Sequence, residues 1–248
     1  MDLINTLLSI EYVFAAISFL ILLFVSAPYG RFVRSGWGPT LPAKWAWMIM
    51  EFPAMIVIFL IFLKNGSWTN PVSVAFIILW EIHYVQRTLI YPLTLKSGKK
   101  AFPVLLVIFA ILFNSLNGFL NGTYLFEIQA YSTSWFLDPR FIIGLIIFIG
   151  GYLINRQSDK ILSRLRDVGK GYQVPQGGLF RYVSNPHYLG EILEWTGWAI
   201  LTWSSAGLAF AVFTFANLAP RAISHHKWYV NTFDDYPKSR RILIPYIW

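Results

Sequence analysis

Seven apolar runs, at roughly residues 5–26, 44–64, 72–93, 102–121, 139–155, 187–203 and 206–228, leave this chain few ways to fold. A run of about 20 apolar residues is long enough to cross a bilayer as a helix. So many of them cannot share one soluble core. The expectation is an all-α, polytopic integral membrane protein with seven transmembrane helices and one domain over residues 1–248. Its membrane would be a bacterial inner membrane or the endoplasmic reticulum. The first run follows no basic segment and precedes no small-residue cleavage site, so it reads as a retained span rather than a signal peptide. With no cysteine, a disulfide framework, a thiolate metal site and a cysteine nucleophile are all excluded.

Basic residues orient the spans. Lys64 and Arg140 fall on one side, Arg87 lies inside a span, and the other 17 of the 20 fall on the opposite side. The asymmetry predicts an N-out/C-in arrangement. It also accounts for the net charge of +8 without a nucleic-acid partner, and nothing in the chain calls for an obligatory protein partner. Only Trp203, Ser204 and Ser205 separate the last two runs, which predicts a tight helical hairpin. Run five is expected to continue as an amphipathic helix beyond the bilayer.

Polar groups within the runs mark where chemistry would sit. Glu51 lies about seven residues from the inner end of its span, roughly 10 Å deep at about 1.5 Å per residue. By the same rise Tyr84 lies about 13 Å deep in the next span. A carboxyl beside a phenol in an apolar cavity can present proton donors to a carbonyl oxygen. Alternatively, Glu51 pairs with His83 or Arg87 and only locks helices together.

In the stretch 175–195, Gly177-Gly178 and Asn185-Pro186 are turn signals, so a helix should start near His187. His187, Glu191 and Glu194 then share one face. That is a candidate site, set against a reading in which the two glutamates are a buried structural pair. Asn155, Asp159, Leu162 and Arg166 also share a helix face. An amide, a carboxylate and a guanidinium in line can grip a ribose hydroxyl and a phosphate; the other reading is a solvated amphipathic face. Arg221, His225 and Tyr229 direct a third helix to the same inner side. Adjacent His225 and His226 point about 100° apart with no third ligand at helical spacing, so no metal is expected. There is no GxGxxG after a strand and no Walker loop, so helices would have to bind any dinucleotide. These groups call for an anionic ligand from the inside and an apolar one through the bilayer, without naming a reaction.

The motifs carry a resemblance. MEFPAM (50–55), HYVQRTLIYPL (83–93), INRQSDKILSRLR (154–166), VPQGGLFRYVS (174–184), LGEILEW (189–195), RAISHHKWY (221–229) and FDDYPKSRRILIPYIW (233–248) run in order over almost the whole length. With them the chain resembles the steroid 5α-reductase family, in the branch that reduces 3-oxo-Δ4 steroids with NADPH. The resemblance implies that Glu51 and Tyr84 act at the substrate 3-keto group and that Trp47 lines the substrate channel. It implies NADPH contacts by Arg87, Asn155, Asp159, Arg166, Tyr172, His187, Glu191, Arg221, His225 and Tyr229. The substrate cavity would come mainly from helices one to four and the NADPH site from helices five to seven and the cytosolic loops. His187 stands where the mammalian enzymes have Asn. Hydride would pass to the β-carbon of the enone while the carbonyl oxygen bears enolate charge. Alternatives are a reductase of another lipid enone, enoyl or polyprenol substrate, an isoprenylcysteine-methyltransferase-like enzyme, or a transporter or receptor.

Overall fold

The computed structural model describes residues 2–94, 101–166 and 171–248, with Arg166 described by its backbone alone. Long helices dominate these residues: α1 (Asp2–Phe24), α2 (Ala43–Lys64), α3 (Pro71–Val85), α4 (Val104–Thr123), α5 (Pro139–Arg166), α6 (Pro186–Thr202) and α7 (Ser205–Thr232). Five of them, α1, α2, α4, α5 and α7, are long and apolar enough to cross a membrane. α3 runs on through a wide turn, Gln86–Ile90, into a last helical turn, Tyr91–Thr94. α4 ends in a second wide turn, Tyr124–Ile128. One detail departs from an all-helical chain: Thr40–Pro42 (β1) and Ala101–Pro103 (β2) pair antiparallel. Pro42 and Pro103 each sit just before a helix, where proline disfavours helical backbone in the residue ahead of it. The strand pair thus holds the starts of α2 and α4 side by side.

Register between the helices can be read from close contacts. A methyl group on Gly118 would meet the carbonyl of Ala54 at 3.4 Å, and one on Gly122 would press on Ile61. Asn114 Nδ2 donates to the Met50 carbonyl at 2.6 Å, so α2 and α4 run parallel with matched turns. Trp80 Nε1 donates to the Ala54 carbonyl at 2.9 Å and pins α3 antiparallel to α2. The closest crossing joins α5 to α6, where Gly144 faces Gly197 and Gly151 faces Gly190. Small residues at such spacing let membrane helices approach backbone to backbone. A methyl group on Gly151 would collide with the backbone of Gly190 and Glu194, whereas one on Gly150 would meet nothing within 4 Å. Gly151→Ala should therefore destabilise the folded protein by about 1–3 kcal/mol. Gly150→Ala should not, and denaturant titration of the two in detergent compares them.

Trp80, Trp195, Trp198, Phe76, Phe148 and Phe210 form the aromatic centre between α3, α5, α6 and α7. The expected α6–α7 hairpin is present: Trp203 adopts a left-handed conformation and the Ser204 hydroxyl accepts from Gly207 N at 3.0 Å. At the opposite end, the segment before α6 is tied to α7 and to the C-terminal residues. Ser184 Oγ lies 2.6 Å from both His226 Nδ1 and the Tyr236 hydroxyl, and Asn185 Nδ2 donates to the carbonyls of Ala222 and Ile242. Burial holds the Tyr236 phenol above its ordinary pKa, so it stays a neutral hydrogen-bonding group. This clasp sets the mouths of α6 and α7 beside the end of α5.

Candidate active site

Glu51 and the α3 residues meet by register. Because Trp80 lies level with Ala54, the next turn brings His83 and Tyr84 level with Glu51. Tyr84 is buried between Trp80, His83 and Trp195, with ring centroids at 4.9, 5.0 and 5.8 Å. Glu51 is among the charges that act on it, with Glu191, Glu194 and Arg87. Asn114 Nδ2 reaches Glu51 Oε2 at 3.4 Å.

The cations that might have claimed Glu51 are paired elsewhere. His83 Nδ1 lies 2.8 Å from Glu194 Oε1, and both side chains are almost wholly buried. Arg87 reaches Asp159 at 3.5 Å and Glu191 at 3.4 Å. Its guanidinium also lies over the rings of Trp47, at 4.8 Å, and Tyr91, at 5.1 Å. The two glutamates of α6 therefore part company despite sharing a face. Glu194 is a buried structural partner of His83, while Glu191, one turn nearer the helix start, opens to the cleft.

That cleft lies where α5, α6 and α7 converge on the loop after α1. Arg87, Asn155, Asp159, Tyr172, His187, Glu191, Arg221, His225, Tyr229 and Trp47 all line it. Asn155 Nδ2 donates to the His187 carbonyl at 3.0 Å and reaches Glu191 Oε2 at 3.4 Å. Thus one stripe of α5 is joined to the first turn of α6. Arg166 is the exception, because its side chain lies outside the described residues.

Arg31, one of the 17 basic residues expected on the inner side, also lines the cleft. It is boxed by Tyr172, Trp228 and Tyr229, with ring centroids 5.2, 4.3 and 4.5 Å from its guanidinium carbon, and Nη2 donates to the Tyr229 hydroxyl at 3.1 Å. A basic residue following the turn Tyr29-Gly30 was the available signal. Arg221 lies between the rings of Tyr29 and Tyr188 and donates to Asn217 Oδ1 at 3.0 Å. Among the described residues neither Arg31 nor Arg221 is paired with a carboxylate. Buried Nη1 of Arg31 and Nδ1 of His225 have no hydrogen-bond partner there. Unpaired donors and two uncompensated guanidiniums beside Asn155 and Asp159 suit a ligand that is anionic at one part and rich in hydroxyls at another.

Comparisons with known proteins show the family. The family model for 3-oxo-5-alpha-steroid 4-dehydrogenase matches residues 100–248. Steroid 5-alpha-reductase DET2 of Solanum lycopersicum is 41% identical, over 100% of this chain and 98% of its own. 3-oxo-5-alpha-steroid 4-dehydrogenase 1 of Bos taurus is 39% identical over 99% and 97%, and that of Homo sapiens 40% over 88% and 85%. Motif order, near-complete coverage on both sides and identity at this level leave one assignment: the chain belongs to the 3-oxo-5-alpha-steroid 4-dehydrogenase family of oxidoreductases.

Proposed function

We propose that this protein reduces the Δ4 double bond of 3-oxo-Δ4 steroids to 5α products with NADPH, and that Glu51 and Tyr84 polarise the 3-keto group. The observation that carries the reading is the freedom of Glu51. Among the described residues His83 and Arg87 are each held by other carboxylates and no cation lies within ion-pair distance of Glu51, which leaves this acid able to meet a ligand oxygen. When bound, NADPH supplies the hydride that C5 receives. The chain's own groups do the rest. Glu51 and Tyr84 donate hydrogen bonds to the 3-keto oxygen, where negative charge gathers as C5 gains its hydride. A proton then adds at C4, the enolate electrons return to form that C–H bond, and the ketone is restored. Within the aromatic centre these donors act in a medium that screens little, so each counts for more than in water.

The cofactor would lie in the cleft, with Arg31 and Arg221 toward phosphate, Asn155 and Asp159 toward ribose hydroxyls, and Tyr172, His187, His225 and Tyr229 along its length. Arg87, held by Asp159 and Glu191 over Trp47, would separate this cleft from the steroid compartment. Arg221→Ala should weaken NADPH binding roughly ten- to a hundredfold, the scale of one charge-assisted contact. Steroid binding should change much less; equal loss of both ligands would indicate misfolding instead.

The same reading has seven spans, with the start of α1 outside and the cleft facing the cytosol. In this cysteine-free chain, single cysteines at exposed Thr69 and Ser239 should be labelled from opposite faces. Labelling from one face would remove the topology. For the reaction itself, purified protein in lipid nanodiscs should convert a 3-oxo-Δ4 steroid to its 5α-dihydro product, with deuterium from labelled NADPH found at C5. An enone panel that leaves NADPH unconsumed would end the proposal.

A further inference from the structure

The inner end of α5 carries two polar faces. One, with Asn155, Asp159 and Leu162, lines the cleft. Further round the helix, Arg156 and Lys160 stand four residues apart and so side by side. They line a second cavity, of about 560 Å³, with Leu153 and Ser163 of α5 and with Tyr91 and Thr94 of the last turn after α3. Ligand sites typically occupy about 300–1,000 Å³. Among the described residues neither Arg156 nor Lys160 is within ion-pair distance of a carboxylate. Asp159, the acid nearest in sequence, stands in the wall between the two cavities and lines both, and it holds Arg87 at 3.5 Å. Two positive charges without an internal partner thus edge an open cavity, which calls for an anion.

The rest of that face of α5 decides which kind of anion. Ile142, Ile146, Ile149 and Leu153 are all exposed and recur at i, i+4, i+7 and i+11, one straight stripe along the helix. Three and seven residues past Leu153, the same stripe reaches Arg156 and Lys160. The basic pair therefore follows directly on the apolar stretch of a helix long enough to cross a membrane, at the level where hydrocarbon gives way to headgroups. A soluble phosphate would use the charges and leave the stripe idle. An anionic phospholipid uses both, with an acyl chain along the isoleucines and its phosphate at the cations. Basic pockets between membrane helices on the cytoplasmic side suit such headgroups.

We infer that this second cavity holds the phosphate headgroup of an anionic phospholipid from the inner leaflet, with Arg156 and Lys160 as its charge contacts. The leaflet follows from the proposed orientation. The site itself needs only that α5 crosses a membrane, and it takes no part in the proposed reaction. Seated there, the lipid braces the end of α5 against the turn Tyr91–Thr94.

The test is lipid retention by the full chain, purified in detergent with equal amounts of phosphatidylglycerol and phosphatidylcholine and read by native mass spectrometry. The parent should retain phosphatidylglycerol over phosphatidylcholine by about thirtyfold, since each cation near an anionic lipid surface contributes roughly fivefold. Arg156→Gln and Lys160→Gln should each lower the preference to about fivefold, and the double variant should abolish it. Arg156→Lys keeps the charge and should keep most of the preference. Lys227→Gln and Lys238→Gln, at exposed inner-side cations that line neither cavity, should leave it unchanged. Phosphatidylglycerol should also raise the unfolding temperature of the parent and not of the double variant, because a ligand that binds only the folded state stabilises it. Equal unfolding temperatures in phosphatidylcholine alone show that the variants fold. A parent without the preference, or a double variant that keeps it, overturns the inference. Equal loss in the Lys227 and Lys238 variants also overturns it, since the attraction would then be diffuse. Displacement of the lipid by glycerol phosphate at matched concentration overturns the lipid assignment in favour of a soluble anion. No steroid or NADPH enters the measurement, so failure of the proposed reaction would leave its result standing.

Discussion

Glu51→Gln should lower steroid turnover by roughly two to three orders of magnitude, the scale seen when one oxyanion donor is removed. The amide keeps the size of the side chain but cannot share a proton with Tyr84 or place an acid at the ketone. Stability should hardly change. His83 and Arg87, the cations that a neutral residue 51 would strand if they depended on it, are bound to Glu194 and to Asp159 and Glu191. The lost Asn114 contact is a long one, 3.4 Å, that a glutamine oxygen can also accept. Tyr84→Phe should show the same pattern, and the double variant should be little slower than either single one, because groups acting as a unit are not additive. Steady-state turnover at saturating NADPH, with denaturant titration of the same preparations, tests this. A folded, NADPH-binding Glu51→Gln protein that works at near the parent rate would refute the mechanism.

On α6, Glu194→Ala should do the reverse. His83 would be left buried between Tyr84 and Trp195, with ring centroids at 5.0 and 4.6 Å, and with no carboxylate against Nδ1. Breaking a buried pair by removing one member costs about 3–5 kcal/mol. Replacing both members by apolar residues, as in His83→Phe with Glu194→Leu, should recover much of that loss, since no polar group is then left unsatisfied. Turnover per folded molecule should fall far less than in Glu51→Gln. Normal stability in Glu194→Ala would mean that the pair does not hold α3 to α6. The two glutamates so give opposite signatures, one in rate and one in stability.

Much of the fold was legible in residue order. Hydropathy located the long helices, with α2 beginning at Ala43 and α6 at Pro186, each within a residue of expectation. The serine pair after Trp203 marked the α6–α7 hairpin. Helical spacing brought Asn155, Asp159 and Leu162 to one face, and all three line the cleft. These are local properties: the period and length of an apolar run set which face and what depth a side chain takes on its own helix.

Partnership between helices is not local. Residue order alone allowed Glu51 to pair with His83 or Arg87 and allowed Glu191 to pair with Glu194. Tertiary structure distributed the charges otherwise, because the rotation and register of each helix follow from contacts far apart in the chain. The Trp80 to Ala54 hydrogen bond sets α3 against α2, and the glycine crossing at Gly151 and Gly190 sets α5 against α6. A shift of one turn in either, about 5.4 Å, would exchange every ionic partner in the site. Arg31 shows the same limit from another side. In the sequence it is one more basic residue on the inner face; in the fold its guanidinium is boxed by three aromatic rings and turned to the cleft. The sequence by itself determined that the chain forms apolar helices with a polar inner end. Only the tertiary structure decided which acid pairs with which cation among the described residues, since that choice is a sum over pairings that no single helix contains.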